Sequence, residues 1–179
     1  LEARAEAWLS ELYLQPNVAE SKCAASAVLN GQSGQADGVK LEIFDAEGKC
    51  VVEAAAPLAG TVAAGQRVDV AATIPSAALW SPNHPYVYRA RLSLLRGAEL
   101  VDAVESGFGM REIAIDGPYI LLNGKRLMLH GYGDDHIYPV EMALSSDKAV
   151  HLKRLRMIKS YGFNHVRHHS TVMPPEYYE

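Results

Sequence analysis

Residues 39–52 read VKLEIFDAEGKCVV, and this stretch indicates a β-hairpin. Apolar residues at Val39, Leu41 and Ile43 alternate with more polar neighbours, a turn-forming segment follows, and a second apolar run begins at Cys50. Alternation with a period of two places one set of side chains on the core face of a strand and the other set in solvent. Two such runs joined by a short glycine-containing loop are typical of a hairpin.

The same alternation recurs throughout the first part of the chain, where turn residues such as Gly65 and Gly97 separate the apolar runs. The predicted strands are Glu11–Gln15, Lys22–Asn30, Val39–Phe44, Cys50–Val52, Val68–Ala72, Tyr86–Leu94 and Leu100–Phe108. Seven short strands in about 100 residues favour an immunoglobulin-like β-sandwich. We therefore expect a mainly β fold, with the sandwich domain at residues 1–111. Trp80 and Tyr86 are expected to belong to its core, and a sugar-stacking platform is the alternative.

The pattern changes after Gly109. Tyr119–Leu122 and Lys125–Leu129 flank Asn123-Gly124, a strong hairpin signal because a type I′ turn needs positive φ at both central residues. Farther on, Ser145-Ser146-Asp147 predicts a helix start, which an apolar stripe at Leu152, Leu155 and Ile158 continues.

Gly162 predicts the end of that helix, and Phe163–His168 is predicted to be the next strand. A strand, a helix and a strand in this order form a βαβ unit, which requires parallel strands. Two parallel strands and one helix leave strand edges unpaired. We therefore expect residues 112–179 to be the first, truncated part of a larger α/β domain, consisting of the hairpin, strand 1, helix 1 and strand 2.

The composition excludes several classes of protein. Among 179 residues, 49% are hydrophobic and 21% charged, which is ordinary globular usage. The net charge is −4 without a dense basic patch, so no nucleic-acid partner is expected. No apolar run reaches the roughly 18 residues of a membrane span. Cys23 and Cys50 are too few for a disulfide framework or a four-thiolate metal site, and free thiols are expected.

Five motifs, in one order, resemble segments of glycoside hydrolase family 2. They match the tryptophan-proline-tyrosine segment of the family's sandwich, the sandwich's last strand, the hairpin leading into its (β/α)8 barrel, the end of the second barrel strand and the start of the next helix. In the same order, the motifs are LWSPNHPYVY at 79–88, GFGMREI at 107–113, LLNGKR at 121–126, NHVR at 164–167 and MPPEYY at 173–178.

This resemblance implies that the parent protein is a retaining β-glycosidase of the β-galactosidase and β-glucuronidase kind, acting on a carbohydrate. It implies a sugar-binding jelly roll before Leu1 and most of the barrel after Glu179, so residues 112–179 would be an incomplete β/α segment of a (β/α)8 barrel. The family's acid/base and nucleophile are glutamates on later barrel strands, about 5 Å apart in retaining enzymes. Neither motif occurs here, so no catalytic residue is assigned, and the chain alone is expected to be inactive.

Candidate substrate-binding residues lie where the first two barrel strands end, because ligands of such barrels bind at that face. Six of the seven histidines fall after residue 129. The predicted binding residues are Arg167, Asp135, His136 and His169. Arg167 could hold hydroxyls or a carboxylate, or orient a catalytic glutamate, and a structural ion pair is the alternative. For the residues after strand 1, the alternative is a polar turn.

The sequence departs from the family pattern at these strand ends. Gly133 and Asp135 stand near the places of the usual asparagine and histidine after strand 1, and Ser170 replaces the usual histidine after strand 2. Two histidines and a carboxylate can ligate a metal, but adjacent histidines on a strand, such as His168 and His169, point to opposite faces. No metal and no cofactor are therefore predicted.

Three alternatives complete the hypotheses. The chain could be a non-enzymatic carbohydrate-binding or interaction module built around the sandwich, or a metal-dependent enzyme that uses the histidines. It could also self-associate through the open strand edges of the truncated segment. The sequence leaves the compartment of the parent open, with the periplasm or secretion preferred over the cytoplasm.

Overall fold

The structure, a computed structural model, describes residues 5–31, 36–58, 64–136 and 142–178. The chain falls into two compact units, Leu1–Arg126 and Leu127–Glu179. Among the described ranges, no helix is long and apolar enough to cross a membrane.

Within the described part of the first unit, seven antiparallel strands form the immunoglobulin-like sandwich. They are β1 Ala7–Asn17, β2 Lys22–Gly31, β3 Gly38–Phe44, β4 Cys50–Pro57, β5 Gln66–Thr73, β6 Tyr88–Arg96 and β7 Glu99–Phe108. One sheet has the order β1-β2-β5 and the other the order β4-β3-β6-β7. All seven predicted strands are confirmed, and so is the mainly β fold.

The core of the sandwich consists of the alternating apolar residues that define the strands. On β3, Val39, Leu41 and Ile43 are almost completely buried, and the residues between them are not. Leu9 and Leu29 of the other sheet belong to the same buried cluster. Burying one such side chain contributes about 1.5–3 kcal/mol, so the alternation is sufficient to hold the two sheets together.

The two aromatic residues of the 79–88 segment pack within this unit. Tyr86 lies against the core, with its ring 4.9 Å from that of Tyr88. Trp80 is half-buried, and the Arg111 guanidinium lies 4.6 Å from its ring centroid. A side chain at Gly109 would come within 2.9 Å of Trp80. These contacts favour the structural interpretation of both aromatic residues over a sugar-stacking platform.

A small third sheet follows the sandwich within the same compact unit. Its strands are β8 Ile113–Asp116, β9 Tyr119–Leu122 and β10 Lys125–Arg126, in the order β10-β9-β8. Asn123 and Gly124 have φ angles of 51° and 74°, which confirms the predicted turn geometry.

The motif at 107–113 is not one strand, because β7 ends at Phe108 and Ile113 begins β8. The boundary between domains 1–111 and 112–179 stays a prediction.

Among its described residues, the second unit contains two parallel strands and two helices. They are β11 Gly131–Asp134, α1 Lys148–Ser160, β12 His165–His168 and α2 Pro175–Tyr178. Strands β11 and β12 pair in parallel, from Gly131 opposite His165 to Asp134 opposite His168, as the βαβ prediction requires.

The predicted ends of α1 are also confirmed. Asp147 is the N-cap, and its carboxylate accepts a hydrogen bond from the N–H of Ala149. Gly162 follows the helix with a φ of 84°. The predicted apolar stripe is wrong at its first position: Leu152 is exposed, and His151 is buried together with Ile158. Residues 151, 155 and 158 follow the i, i+4, i+7 spacing of one helix face, so a histidine occupies the place expected for a leucine.

Candidate functional site

The two faces of the parallel strands differ in exposure. Tyr132, Asp134, Val166 and His168 lie on the covered face, whereas His165 and Arg167 lie with glycines on the exposed face. In register, Gly131 pairs with His165 and Gly133 with Arg167. A Cβ at position 131 would lie only 3.2 Å from the His165 ring, so the glycine makes room for it. The exposed face therefore presents the side chains of His165 and Arg167 next to two glycines, which have no side chain.

Asp134, at the end of β11, is a buried carboxylate with two hydrogen-bond donors. Its Oδ1 atom accepts a hydrogen bond of 2.7 Å from Arg154 Nη2 of α1 and one of 2.9 Å from the backbone N–H of His136. The residue is 4% exposed. A buried carboxylate is costly unless it is paired and hydrogen-bonded, and here both conditions are met.

His136 and His168 form a hydrogen-bonded pair beside this carboxylate. His136 Nε2 lies 2.8 Å from His168 Nδ1, and the rings stack with centroids 4.9 Å apart. The ring of Tyr177 from α2 meets the His168 ring edge-on at 4.9 Å. Burial, together with the nearby His136, lowers the pKa of His168 below its ordinary value of 6.5. The pair thus favours neutral imidazole at His168.

Asp135 and His169 lie on the exposed side of the same strand ends. Asp135 Oδ1 is 3.8 Å from His169 Nδ1, and both side chains are more than half exposed. The N–H of His169 donates to the carbonyl of Asp134 at 3.0 Å. Next to them, Ser170 Oγ lies 3.3 Å from His169 Nδ1. The arrangement offers hydrogen-bond donors and acceptors to a polar ligand.

The four predicted binding residues therefore occupy three different environments. The structure brings Asp135 and His169 together at the strand ends and places Arg167 on the exposed face of β12. The His136 side chain is only 3% exposed and lies in the buried cluster behind Asp135. Their role in binding a substrate stays a prediction.

Sequence reasoning missed the part that the covered face plays. The apolar stripe of α1 gives no indication that Arg154 contacts a buried carboxylate, and the motif at 173–178 indicates only that Tyr177 belongs to a helix start. His151 is 2% exposed, and its Nε2 donates to the Ser145 carbonyl at 2.7 Å, which agrees with a structural role. One feature of the sequence could have indicated this role of Arg154. It directly precedes Leu155 of the apolar stripe on α1, and the preceding strand ends in an acidic residue, Asp134. Within the described ranges, no group of three or more potential ligands is arranged to hold a metal ion.

Comparison with known proteins assigns the family. The family model described as glycosyl hydrolases family 2 matches residues 9–111, more than half of the chain. The chain belongs to glycosyl hydrolase family 2. The match covers the sandwich from β1 to the residues after β7, and the resemblance inferred from the sequence motifs is confirmed.

Curated relatives of this family 2 chain include galactosidases and glucuronidases. A beta-galactosidase from Vibrio cholerae is 28% identical over 153 residues, which are 79% of this chain and 14% of the relative. A putative beta-glucuronidase from Formosa agariphila is 28% identical over 175 residues, which are 96% of this chain and 21% of the relative. The chain thus spans about a fifth or less of these relatives' length.

Solved structures share the fold at low sequence identity. A family 2 member from Bacteroides cellulosilyticus has a TM-score of 0.82 at 21% identity, covering 97% of this chain and 23% of that structure. The Ruminococcus gnavus β-glucuronidase in complex with D-glucuronic acid has a TM-score of 0.77 at 20% identity, covering 97% of this chain and 28% of that one. Both similarities concern the fold.

Proposed function

We propose that the family 2 chain is part of a retaining β-glycosidase of the β-galactosidase or β-glucuronidase type. The observation that carries the proposal is the succession, in one chain, of the family 2 sandwich and a parallel β–α–β unit with polar side chains at its strand ends. A binding module built from the sandwich alone gives no reason for the second part.

In this proposal, residues 112–179 begin a (β/α)8 barrel. Strands β11 and β12 are parallel and adjacent, and α1 connects them, as in the repeating unit of such a barrel. Ligands of (β/α)8 barrels bind at the carboxyl ends of the strands. Asp135 follows β11 and His169 follows β12, so both would stand at the substrate side. His165 and Arg167 would face the barrel axis.

Each exposed residue has a chemical role suited to a sugar. The Arg167 guanidinium can donate two parallel hydrogen bonds to a carboxylate or to neighbouring hydroxyls. The Asp135 carboxylate can accept hydrogen bonds from hydroxyls, and the His169 ring can donate or accept one. His136 would act from behind, by holding the loop that carries Asp135.

Glycosidic bond cleavage itself is proposed to depend on residues outside this chain. Retaining hydrolysis requires a carboxylic acid that protonates the leaving oxygen and a carboxylate nucleophile about 5 Å away. The exposed strand-end residues supply one carboxylate, Asp135, which lies beside His169. These residues bind and orient the sugar, and the 179-residue chain alone is expected to hydrolyse nothing.

The test uses a panel of aryl β-glycosides, including a β-galactoside and a β-glucuronide, with a longer protein that contains this chain. We expect hydrolysis of at least one substrate with retention at the anomeric carbon. Replacing Arg167 with Ala should lower kcat/KM about 10- to 100-fold, the range expected for a lost hydrogen bond to a charged group.

Arg156→Ala is the matched control, because Arg156 is an exposed arginine of α1. It should leave kcat/KM unchanged. If the longer protein hydrolyses none of the glycosides, the enzyme proposal is contradicted and a binding module is favoured. An Arg167→Ala enzyme as active as the Arg156→Ala enzyme would contradict the role proposed for Arg167.

A further inference from the structure

The histidine pair of the second unit has a geometry that limits how many protons it can hold. His136 Nε2 and His168 Nδ1 are 2.8 Å apart, so one of the two nitrogens donates an N–H and the other accepts it. The contact is preserved when one ring takes up an extra proton. When both rings are imidazolium, both facing nitrogens carry a hydrogen, and two donors are forced against each other.

The Asp134 carboxylate beside the pair favours the charged form of His168, but burial and the nearby His136 outweigh it. On β11, the Asp134 carboxylate lies 3.7 Å from His136 Nδ1, but Arg154 of α1 is already paired with it. On α2, Tyr177 presents its ring edge to His168, and His151 of α1 lies on Tyr177 at 5.4 Å. His165 on β12 adds a second titratable ring that disfavours charge at His168.

We propose that His136 and His168 form a proton-sensitive latch, which joins the residues directly after β11 to the last residue of β12 and opens when both rings are protonated. The latch lies directly behind the exposed pair: His136 is the neighbour of Asp135, and His168 is the neighbour of His169. His136 also has a φ of 56°, an unusual backbone conformation for a residue other than glycine, and the Asp134 carboxylate holds its N–H. Opening the latch therefore removes the side-chain contact behind Asp135 and His169, while the hydrogen bond from the His169 N–H to the Asp134 carbonyl still joins the strand ends.

Two further consequences follow from the contacts. Tyr177 packs on His168, so α2 loses one of its contacts when the pair opens. Because the pKa of His168 is lowered in the folded chain, its neutral form adds stability above pH 6.5, and that stability is lost as the pH falls below this value. The latch is independent of the glycosidase proposal, and only an effect on sugar binding would rest on it.

The test is a titration of the labelled 179-residue chain from pH 8 to pH 4.5, followed by NMR. Imidazole ¹⁵N shifts report the protonation of each ring, and the backbone amides of Asp135, His169 and Tyr177 report the latch. We expect the chemical shifts of these three amides to change together as the second ring becomes charged, while the shifts of amides in the sandwich core stay constant.

Two variants each replace one imidazole ring of the pair with an amide, which does not take up a proton but keeps a hydrogen-bonding group near the same position. His168→Asn places an amide near the place of Nδ1, and His136→Gln places one near the place of Nε2. Either change should abolish the joint movement of the three amides. His130→Asn, which removes an exposed histidine ahead of β11, should leave it unchanged.

The outcomes separate clearly. Joint movement that persists in His168→Asn and His136→Gln would overturn the proposal. The proposal would also be overturned if both rings of the wild-type chain become charged while the chemical shifts of the reporter amides stay constant. This outcome can be observed even if neither variant folds. A longer protein that hydrolyses no glycoside leaves all these readouts as they are, so the two proposals fail separately.

Discussion

The carboxylate of Asp102 accepts a hydrogen bond of 2.8 Å from the backbone N–H of Leu9, 93 residues away in sequence. Asp102 lies on β7 of the four-stranded sheet, and Leu9 lies on β1 of the three-stranded sheet. A side chain thus supplies the partner of a backbone donor across the two layers of the sandwich. Leu9 itself is completely buried, so its N–H has no access to water as an alternative acceptor.

Replacing Asp102 with Ala should destabilise the sandwich by about 1–3 kcal/mol, because a buried donor is left without an acceptor. Chemical denaturation followed by tryptophan fluorescence measures this loss. Asp102→Asn keeps an acceptor oxygen and should lose less. Asp69→Ala, which removes an exposed carboxylate of β5, is the surface control, and equal stability of Asp102→Ala and Asp69→Ala would contradict the proposed role of the contact.

Asn123 combines a backbone and a side-chain requirement at the turn between β9 and β10. Its φ is 51°, its Oδ1 atom accepts from the N–H of Glu112 at 2.9 Å, and its Nδ2 atom donates to the Trp80 carbonyl at 3.0 Å. Asn123→Gly keeps the backbone conformation and loses the two hydrogen bonds. Asn123→Ala loses both the hydrogen bonds and the tolerance for positive φ.

We expect Asn123→Gly to lower the free energy of unfolding by about 1–3 kcal/mol through the lost hydrogen bonds. Asn123→Ala should lower it by about 1 kcal/mol more, the approximate cost of a left-handed conformation in a residue with a Cβ. Denaturant unfolding of both variants distinguishes the two effects. If Ala proves as stable as Gly at this position, the backbone conformation does not contribute as argued.

The two cysteines differ in exposure and should differ in reactivity. Cys23 is buried on β2 and Cys50 is exposed on β4, and both are free thiols. Burial raises the pKa of Cys23 to about 11, and the thiolate is the reactive form. At pH 8, a thiol reagent should therefore modify one cysteine of the folded chain and two of the chain in denaturant.

Cys50→Ser should abolish the reaction in the folded state, whereas Cys23→Ser should not. The raised pKa also predicts a pH dependence: the neutral Cys23 thiol contributes stability below pH 9, the ordinary pKa of such a thiol, and that stability is lost as the pH rises toward about 11. Denaturation from pH 8 to pH 11 measures the loss, which Cys23→Ser should reduce. An unchanged pH dependence in Cys23→Ser would contradict the assignment.

The second unit presents open strand edges and exposed apolar side chains. The sheet formed by β11 and β12 has two strands among the described residues, and Met128 and Leu129 before β11 are 73% and 41% exposed. Unpaired edges favour pairing with another chain. We expect residues 126–179 to exchange backbone hydrogens rapidly in dilute solution and to gain protection as the protein concentration rises.

Hydrogen exchange at several concentrations tests this prediction, with the sandwich strands as the internal reference. Leu129→Lys should reduce the dependence on concentration, because it replaces an exposed apolar side chain next to the open edge of β11 with a charge, which opposes association. Leu100→Lys, at an exposed apolar position of the sandwich, is the control. Slow exchange of the second unit that equals the sandwich at every concentration would show that the unit is stable without a partner.

Local patterns in the sequence determined the strands, the turn and the ends of the first helix. Leu41 and its neighbours reveal β3 by alternation, Asn123-Gly124 identifies a turn with two positive φ angles, and Asp147 and Gly162 delimit α1. Each of these features depends on the sterics of a few consecutive residues. Strand β8 gave no such signal, because all four of its residues are exposed and it has no buried face to produce alternation.

The tertiary structure alone decided which polar residues are buried together. Asp134 and Arg154 are 20 residues apart, and His136 and His168 are 32 residues apart, yet the parallel register and the packing of α1 bring all four to one face. Sequence spacing cannot show that His136 turns inward while Asp135 stays in solvent, because that depends on the positive φ of His136 and on the hydrogen bond that its N–H donates to Asp134. The cost of burying charge then selects the pairing, because the Asp134 carboxylate is stable there only with Arg154 beside it.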